Sequence, residues 1–261
     1  MKLIQITDTH VGRPGQRIHG VDPRAQLEAC VADINAHHAD AALCLVTGDL
    51  VNEGAADEYE NLAPVLRALN VPFRVMVGNH DARENLRRAF PDTPFAAGGF
   101  IQSVFEVPGG RLLLLDTLRV GQPSGELCDR RLAWLSAELS ACTDQVYIAM
   151  HHPPVPIGMK LLDGMALSNA EDFWQILAPH CARVRMIVFG HAHRPVSGVY
   201  NGVAFAGCPA TAHQVSLELG QPSGARLTYN HEPPCYAVLE IGERGCVIHQ
   251  QRYSENWKLV A

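Results

Sequence analysis

Short, mostly apolar runs recur along the chain, and in the first two thirds they alternate with stretches whose apolar positions repeat every three or four residues. Residues 2–7, 41–47 and 72–77 read as buried strands. Between them, residues 23–37 and 55–69 carry helical spacing. Asp22-Pro23 supplies an N-cap and first-turn proline for the first helix, and Tyr59, Leu62, Val65, Leu66 and Leu69 line one face of the second. The order is β-α-β-α-β. Pro108-Gly109-Gly110 has hairpin-turn chemistry between strands over 104–107 and 111–116. A helix follows over 129–139, and two more buried strands, 145–150 and 184–189, flank a helix around 170–178. Beyond Ala192 the pattern changes to short alternating strands near 203–206, 215–218, 236–241 and 246–250, and no repeat or linker divides the chain. Strands separated by helices pair mostly in parallel, with antiparallel additions from the hairpin and the C-terminal third. The pattern predicts an α/β fold of layered sheets with helices outside. A single domain over 1–261 is expected, to which the part from about 195 onward adds antiparallel strands.

Composition changes this picture little. With 261 residues, 47% hydrophobic and 18% charged, the chain is an ordinary globular one, and its net charge of -6 argues against binding nucleic acid through its overall field. A small anionic substrate stays open, because bound dications reverse the potential inside an acidic site. Residues 1–8 reach a chemical motif before any apolar stretch long enough for a signal peptide, and no later stretch approaches ~20 apolar residues. A soluble cytoplasmic protein without membrane partners is expected. The 8 cysteines are scattered without a C-x-x-C pair and sit among apolar neighbours, which predicts reduced core thiols.

The candidate chemistry lies where the apolar runs end. Asp8-Thr9-His10, Gly48-Asp49, Gly78-Asn79-His80-Asp81, Met150-His151-His152-Pro153-Pro154 and Gly190-His191-Ala192-His193 each follow a predicted strand. Taken singly, most have an ordinary alternative: a loop-capping Asp, a β-turn Asp after Gly48, or an N-cap at Asn79-His80-Asp81 for a helix beginning near Arg83. Taken in order, they deliver carboxylates, imidazoles and a carboxamide to the carboxyl ends of strands, where ligands gather in open α/β sheets. That donor set suits a pair of divalent metal ions. Asp49 has two oxygens and can bridge them; Gly48 gives the backbone freedom to turn it inward. Asp81 is expected to orient His80 as an acid pair. Asn52 and His213 are further candidates for substrate contact, with a loop-capping Asn and a strand-end His as equal alternatives.

These five motifs resemble those of the calcineurin-like metallophosphoesterase superfamily, and the D-T-H opening, Gly48-Asp49-Leu50-Val51-Asn52 and Met150-His151-His152-Pro153-Pro154 are similar to bacterial class III cyclic-nucleotide phosphodiesterases and glycerophosphodiesterases. The resemblance covers residues 8–193. It implies a four-layer α-β-β-α sandwich of two mixed sheets. It also implies one ion held by Asp8, His10, Asp49 and His193 and a second held by Asp49, Asn79, His151 and His191, with His152 beyond the ligands. Nitrogen and oxygen donors without thiolate suit iron, manganese, zinc or cobalt, and four imidazoles among seven ligands disfavour calcium. The expected reaction is hydrolysis of a small-molecule phosphodiester, either a 3′,5′-cyclic nucleotide or a glycerophosphodiester. Attack by a hydroxide shared between two ions is expected, with His80 protonating the leaving oxygen. Relatives of this kind are often dimers or larger, so a homo-oligomer is expected. Two rivals stay open. A phosphomonoesterase or protein phosphatase of the same superfamily usually carries an Asp-Arg pair after the second motif, where this chain has Asn52-Glu53. A non-catalytic interaction module on the same fold is the other.

Overall fold

In a computed structural model that describes residues 1–220 and 225–253, strand β1 (Lys2–Ile6) leads through helix α1 (Pro23–His37) to β2 (Leu43–Val46), and α2 (Ala56–Arg67) leads on to β3 (Phe73–Val75). These three strands pair in parallel. Helix α1 begins where the sequence places it, because the Asp22 carboxylate accepts from the Ala25 backbone N–H at 3.1 Å and Pro23 presets the first turn. After α3 (Arg83–Ala89), β4 (Ser103–Val107) and β5 (Gly110–Leu114) form the expected hairpin. Then come α4 (Asp129–Ala141), β6 (Gln145–Met150), α5 (Lys160–Asp163), α6 (Ala170–Leu177) and β7 (Val184–Phe189). The remaining strands are β8 (Val196–Tyr200), β9 (Val203–Gly207), β10 (Gln214–Val215), β11 (Tyr229–Asn230), β12 (Cys235–Gly242) and β13 (Gly245–Arg252).

Two mixed sheets result, one ordered β13-β12-β1-β2-β3 and the other β4-β5-β6-β7-β9-β8, with β10 and β11 as a separate ribbon. Strand alternation explains how they stack. Leu3, Leu43, Leu45, Leu239 and Ile241 of the first sheet pack with Leu112, Leu114, Tyr147, Ala149 and Val188 of the second. The residues between them in sequence face outward. Ile4, Ile6, Cys44 and Val46 meet Leu27, Ile34, Leu62 and Leu66 of α1 and α2. Ile148, Met150 and Ile187 meet Leu135, Leu139 and Phe173 of α4 and α6. Strands buried on both faces read as continuous apolar runs, which is why they were visible in the sequence. The architecture is the expected α-β-β-α sandwich. Gln5 is buried between the sheets, where its amide donates to Thr47 Oγ1 at 3.0 Å and to the Phe189 carbonyl at 3.2 Å. It ties the end of β1 to the end of β7.

The differences from expectation lie in the C-terminal third and at one helix start. The strand expected over 215–218 is Gln214–Val215 alone, and its partner Tyr229–Asn230 is too short to show a period. Strand β8 is hidden by Gly198, a position where an added Cβ would come within 2.8 Å of the Phe205 ring across the ladder. Helix α3 starts after Ala82 without a side-chain cap, so the Asn79-His80-Asp81 string does not cap it. All eight cysteines are free and five are buried. Among the described residues no helix is long and apolar enough to cross a membrane.

Candidate metal centre

Strands β1, β2 and β3 run parallel in one sheet and β6 and β7 run parallel in the other, and Asp8, Asp49, Asn79, His151 and His191, each just past the carboxyl end of one of them, meet at one rim of the sandwich. The backbone there is forced. Seven non-glycine residues among those described have positive φ, and five of them are Asp8, His10, Asp49, His191 and His193, with φ between 41° and 63°. Such geometry costs on the order of 1–3 kcal/mol per residue and concentrates at functional sites. Gly190 allows the closest approach: an added Cβ would run into Thr7 Oγ1 and reach Asp8 Oδ2 at 2.9 Å.

The side chains converge as two groups that meet at Asp49. Asp8, His10, Asp49 and His193 present donor atoms within 4.8 Å of one another. His10 Nε2 lies 3.1 Å from His193 Nε2, and His193 Nε2 lies 3.2 Å from Asp8 Oδ1. In the other group, Asn79 Oδ1 is 3.0 Å from His191 Nδ1, and His151 Nε2 is 3.3 Å from Asp49 Oδ2. The same Asp49 oxygen is 3.7 Å from His10 Nε2, while Oδ1 accepts the His80 backbone N–H at 2.9 Å. Neighbouring ligands on one ion with bonds of about 2.1 Å sit about 3 Å apart, close to the spacing of His10 from His193, of His193 from Asp8 and of His151 from Asp49.

Tautomers carry the argument for a cation further. His151 Nδ1 lies 2.8 Å from the Thr47 carbonyl and His193 Nδ1 lies 2.8 Å from the His213 carbonyl. A carbonyl only accepts, so both Nδ1 atoms carry hydrogen, and both Nε2 lone pairs face carboxylate oxygen. Two lone pairs opposed in a dry site need a cation between them. Nε2 of His151 and Nε2 of His191, both fully buried atoms, have no hydrogen-bond partner. Protons alone show the demand: burial pushes His151 down, yet Asp49 and Asp8 reverse this and raise it to about 9. Burial acts to raise the Asp8 and Asp49 carboxyls, but His193 at the first and His151 at the second outweigh it and hold both well below the usual carboxylate range. Burial lowers His10 and His191 to about 3, which keeps them neutral and free to donate lone pairs. The residues fit a pair of divalent ions.

Other expected residues fall in different places. His80 is exposed at the rim, its Nδ1 is 2.6 Å from the Asn52 carbonyl, and its ring centroid is 4.7 Å from that of His10. Asp81 does not orient it. The turn from Gly78 folds the Asp81 carboxylate back, where it accepts from Gly78 N at 2.8 Å, Leu50 N at 3.2 Å and Tyr59 Oη at 2.8 Å. Asp81 therefore locks the β2 and β3 loops together, and burial followed by the nearby Asp49 charge raises it to about 7. Asn52 meets His80 through its main chain, and Asn52, His80 and His213 all line a cavity of about 160 Å³ that also takes in His10, Asp49, Asn79, His191 and His193. His152 is fully buried, with Nδ1 2.8 Å from Thr117 Oγ1, and one of its ring nitrogens falls within 4.8 Å of donor nitrogens of His151 and His191. Sequence reasoning missed Thr47, whose carbonyl fixes the His151 tautomer, and His19 and Tyr229, which line the cavity. No local pattern marks a carbonyl as a ligand's partner, and the other two come from opposite ends of the chain. A larger groove of about 750 Å³, lined in part by Arg67, Arg74, Phe90 and Phe105, lies at the other edge of the sheets and contains none of these donors. Size alone would have misplaced the chemistry.

Comparison with known proteins agrees with this geometry. The family model described as calcineurin-like phosphoesterase matches residues 1–195. A probable cyclic nucleotide phosphodiesterase of Rhodopseudomonas palustris is 39% identical over 254 residues, 96% of this chain and 92% of that protein. A probable glycerophosphodiester phosphodiesterase of Arcobacter nitrofigilis is 31% identical, covering 90% of this chain and 86% of that one. In three dimensions, a dimetal phosphatase from Danio rerio superposes with a TM-score of 0.72 at 15% identity over 98% of this chain and 97% of that chain, a likeness of fold.

Proposed function

This chain belongs to the calcineurin-like phosphoesterase family, whose members use two divalent metal ions, and from that premise we propose that it hydrolyses small-molecule phosphodiesters at the rim just described. The observation that carries the reading is Asp49, whose Oδ2 faces both donor groups and so links them into one dinuclear site. Asp8, His10, Asp49 and His193 would hold the first ion, and Asp49, Asn79, His151 and His191 would hold the second. Bound there, the two ions supply an acidified water and Lewis-acid stabilisation of phosphoryl charge. The Thr47 and His213 carbonyls keep the two imidazoles aimed by accepting hydrogen bonds from their Nδ1–H groups. Among the described residues that line the cavity there is no Lys or Arg to clamp a second phosphate charge, which favours a diester over a monoester.

His80 is the general acid in this reading. With Nδ1–H donated to the Asn52 carbonyl, the imidazolium form would carry its second proton on Nε2, from which it would pass to the leaving oxygen and leave the neutral ring. His80→Ala is expected to lower turnover of diesters with alkoxide leaving groups by about a hundredfold while sparing nitrophenolate leaving groups, which need no proton. Equal losses on both, in steady-state assays, would remove His80 from the role.

The names of the relatives support both cyclic nucleotides and glycerophosphodiesters as substrates. Elemental analysis of the purified protein, followed by turnover of cAMP, glycerophosphoethanolamine and an aryl phosphate monoester under matched metal loading, tests the reading. Two divalent ions per chain and faster diester than monoester hydrolysis are expected; faster monoester hydrolysis would overturn it. The reading includes a single 261-residue domain, a cytoplasmic location supported by eight free thiols, and a homo-oligomer supported by Val199 and Val247, exposed on the edge strands β8 and β13.

A further inference from the structure

The cavity over the metal ligands has a mouth built from two distant parts of the chain. Ile18 and Val21 exchange both backbone hydrogen bonds, each at 3.0 Å, so His19 and Gly20 form the two-residue tip of a tight hairpin. Both tip residues have positive φ, 47° for His19 and 85° for Gly20. A turn of this hand favours Asn, Asp or Gly at its first position, so histidine there is held against its preference. His231 grips the tip through its Nε2, 3.0 Å from the His19 carbonyl oxygen. What the strained position achieves is a stack: the His19 ring lies 3.7 Å from the Tyr229 ring at an interplanar angle of 21°, and its edge meets His213 at 4.5 Å. Strain kept at a cavity mouth, with no contribution to the core or to metal ligation, calls for a ligand-directed role.

The rest of the lining says which ligand chemistry suits it. Ile18, Pro123, Leu162, Met165, Val215 and Leu227 add apolar surface, and among the described lining residues the one ionisable carboxyl group is Asp49, which faces the metal donors. A charged arm of a substrate would find no counter-charge there, whereas a planar, uncharged arm finds ring faces and apolar walls. Resting on the diester reading above, we propose that His19 and Tyr229 are specificity-determining residues that receive a planar uncharged arm of the phosphodiester.

The test compares two diesters with one leaving group and different second arms, thymidine 5′-(p-nitrophenyl) phosphate and ethyl p-nitrophenyl phosphate, with added Mn²⁺. The selectivity ratio, kcat/KM for the nucleoside ester over that for the ethyl ester, is expected to fall about tenfold in Tyr229→Ala and in His19→Gly, mainly through KM, and to be restored in Tyr229→Phe. Because glycine suits the tip backbone, His19→Gly is expected to melt no lower than the parent, which separates loss of selectivity from loss of fold. An unchanged ratio in both variants, or a ratio lost in His19→Gly together with a lowered melting temperature, would overturn the proposal. Parent protein that turns over neither diester with metal would overturn the diester reading, and this inference with it.

Discussion

Asp49→Asn is expected to leave a folded protein that binds fewer than two ions per chain and hydrolyses diesters at least about a thousandfold more slowly. The substitution is nearly isosteric. It keeps an oxygen to accept the His80 backbone N–H, which Asp49 Oδ1 now accepts at 2.9 Å, so the loop geometry has no reason to change. What it removes is the negative charge of the oxygen that stands 3.3 Å from His151 Nε2 and 3.7 Å from His10 Nε2. A neutral carboxamide bridges two cations poorly, and its N–H₂ end repels them. The measurements are metal content of the dialysed protein, turnover of an aryl diester and a thermal melt. Parental turnover, or parental metal content with all activity gone, would show that Asp49 is not the bridge.

A different carboxylate sets the largest expected effect on folding. Asp116 is fully buried just beyond β5, and its oxygens take a bidentate pair of contacts from Arg83, both at 2.6 Å, together with the Ile101 and Leu118 backbone N–H groups at 3.0 Å. Arg131, 4% exposed, donates to the Asp116 carbonyl at 2.9 Å and lies 3.5 Å from Oδ1. Asp116→Ala strands a buried guanidinium and two backbone donors, and a loss of about 3–5 kcal/mol in unfolding free energy is expected. For a domain whose total stability is on the order of 5–15 kcal/mol, that places it near the edge of folding at 37 °C. Urea denaturation with a metal-saturated sample measures it, and a change below about 1 kcal/mol would mean that water or a neighbouring side chain replaces the carboxylate.

How much of this was legible beforehand depends on how local the information is. The parallel strands and the helices over them were visible because their apolar spacing repeats within a few residues, and the candidate donors that converge at the rim were visible because each follows a strand end in a short string. The orientation of Asp81 was not. The sequence put it next to His80, but a turn sends adjacent side chains apart, and three donors from Leu50, Tyr59 and Gly78 compete for its oxygens. Nor could the carbonyls of Thr47 and His213 be read as the groups that set imidazole tautomers, since any residue type can supply a carbonyl. The ribbon of Gln214–Val215 with Tyr229–Asn230 is held by its place over the cavity rather than by any period of its own.

The left-handed backbone at Asp8, His10, Asp49, His191 and His193 bears on what kind of molecule this is. Glycine would enter that region freely and asparagine with little penalty, so a chain retained only as a scaffold for other proteins would drift toward those residues and gain stability by doing so. Here five awkward positions still carry acids and imidazoles that donate to one place. Strain borne by donor side chains, where glycine would relieve it, fits a working catalyst rather than a scaffold.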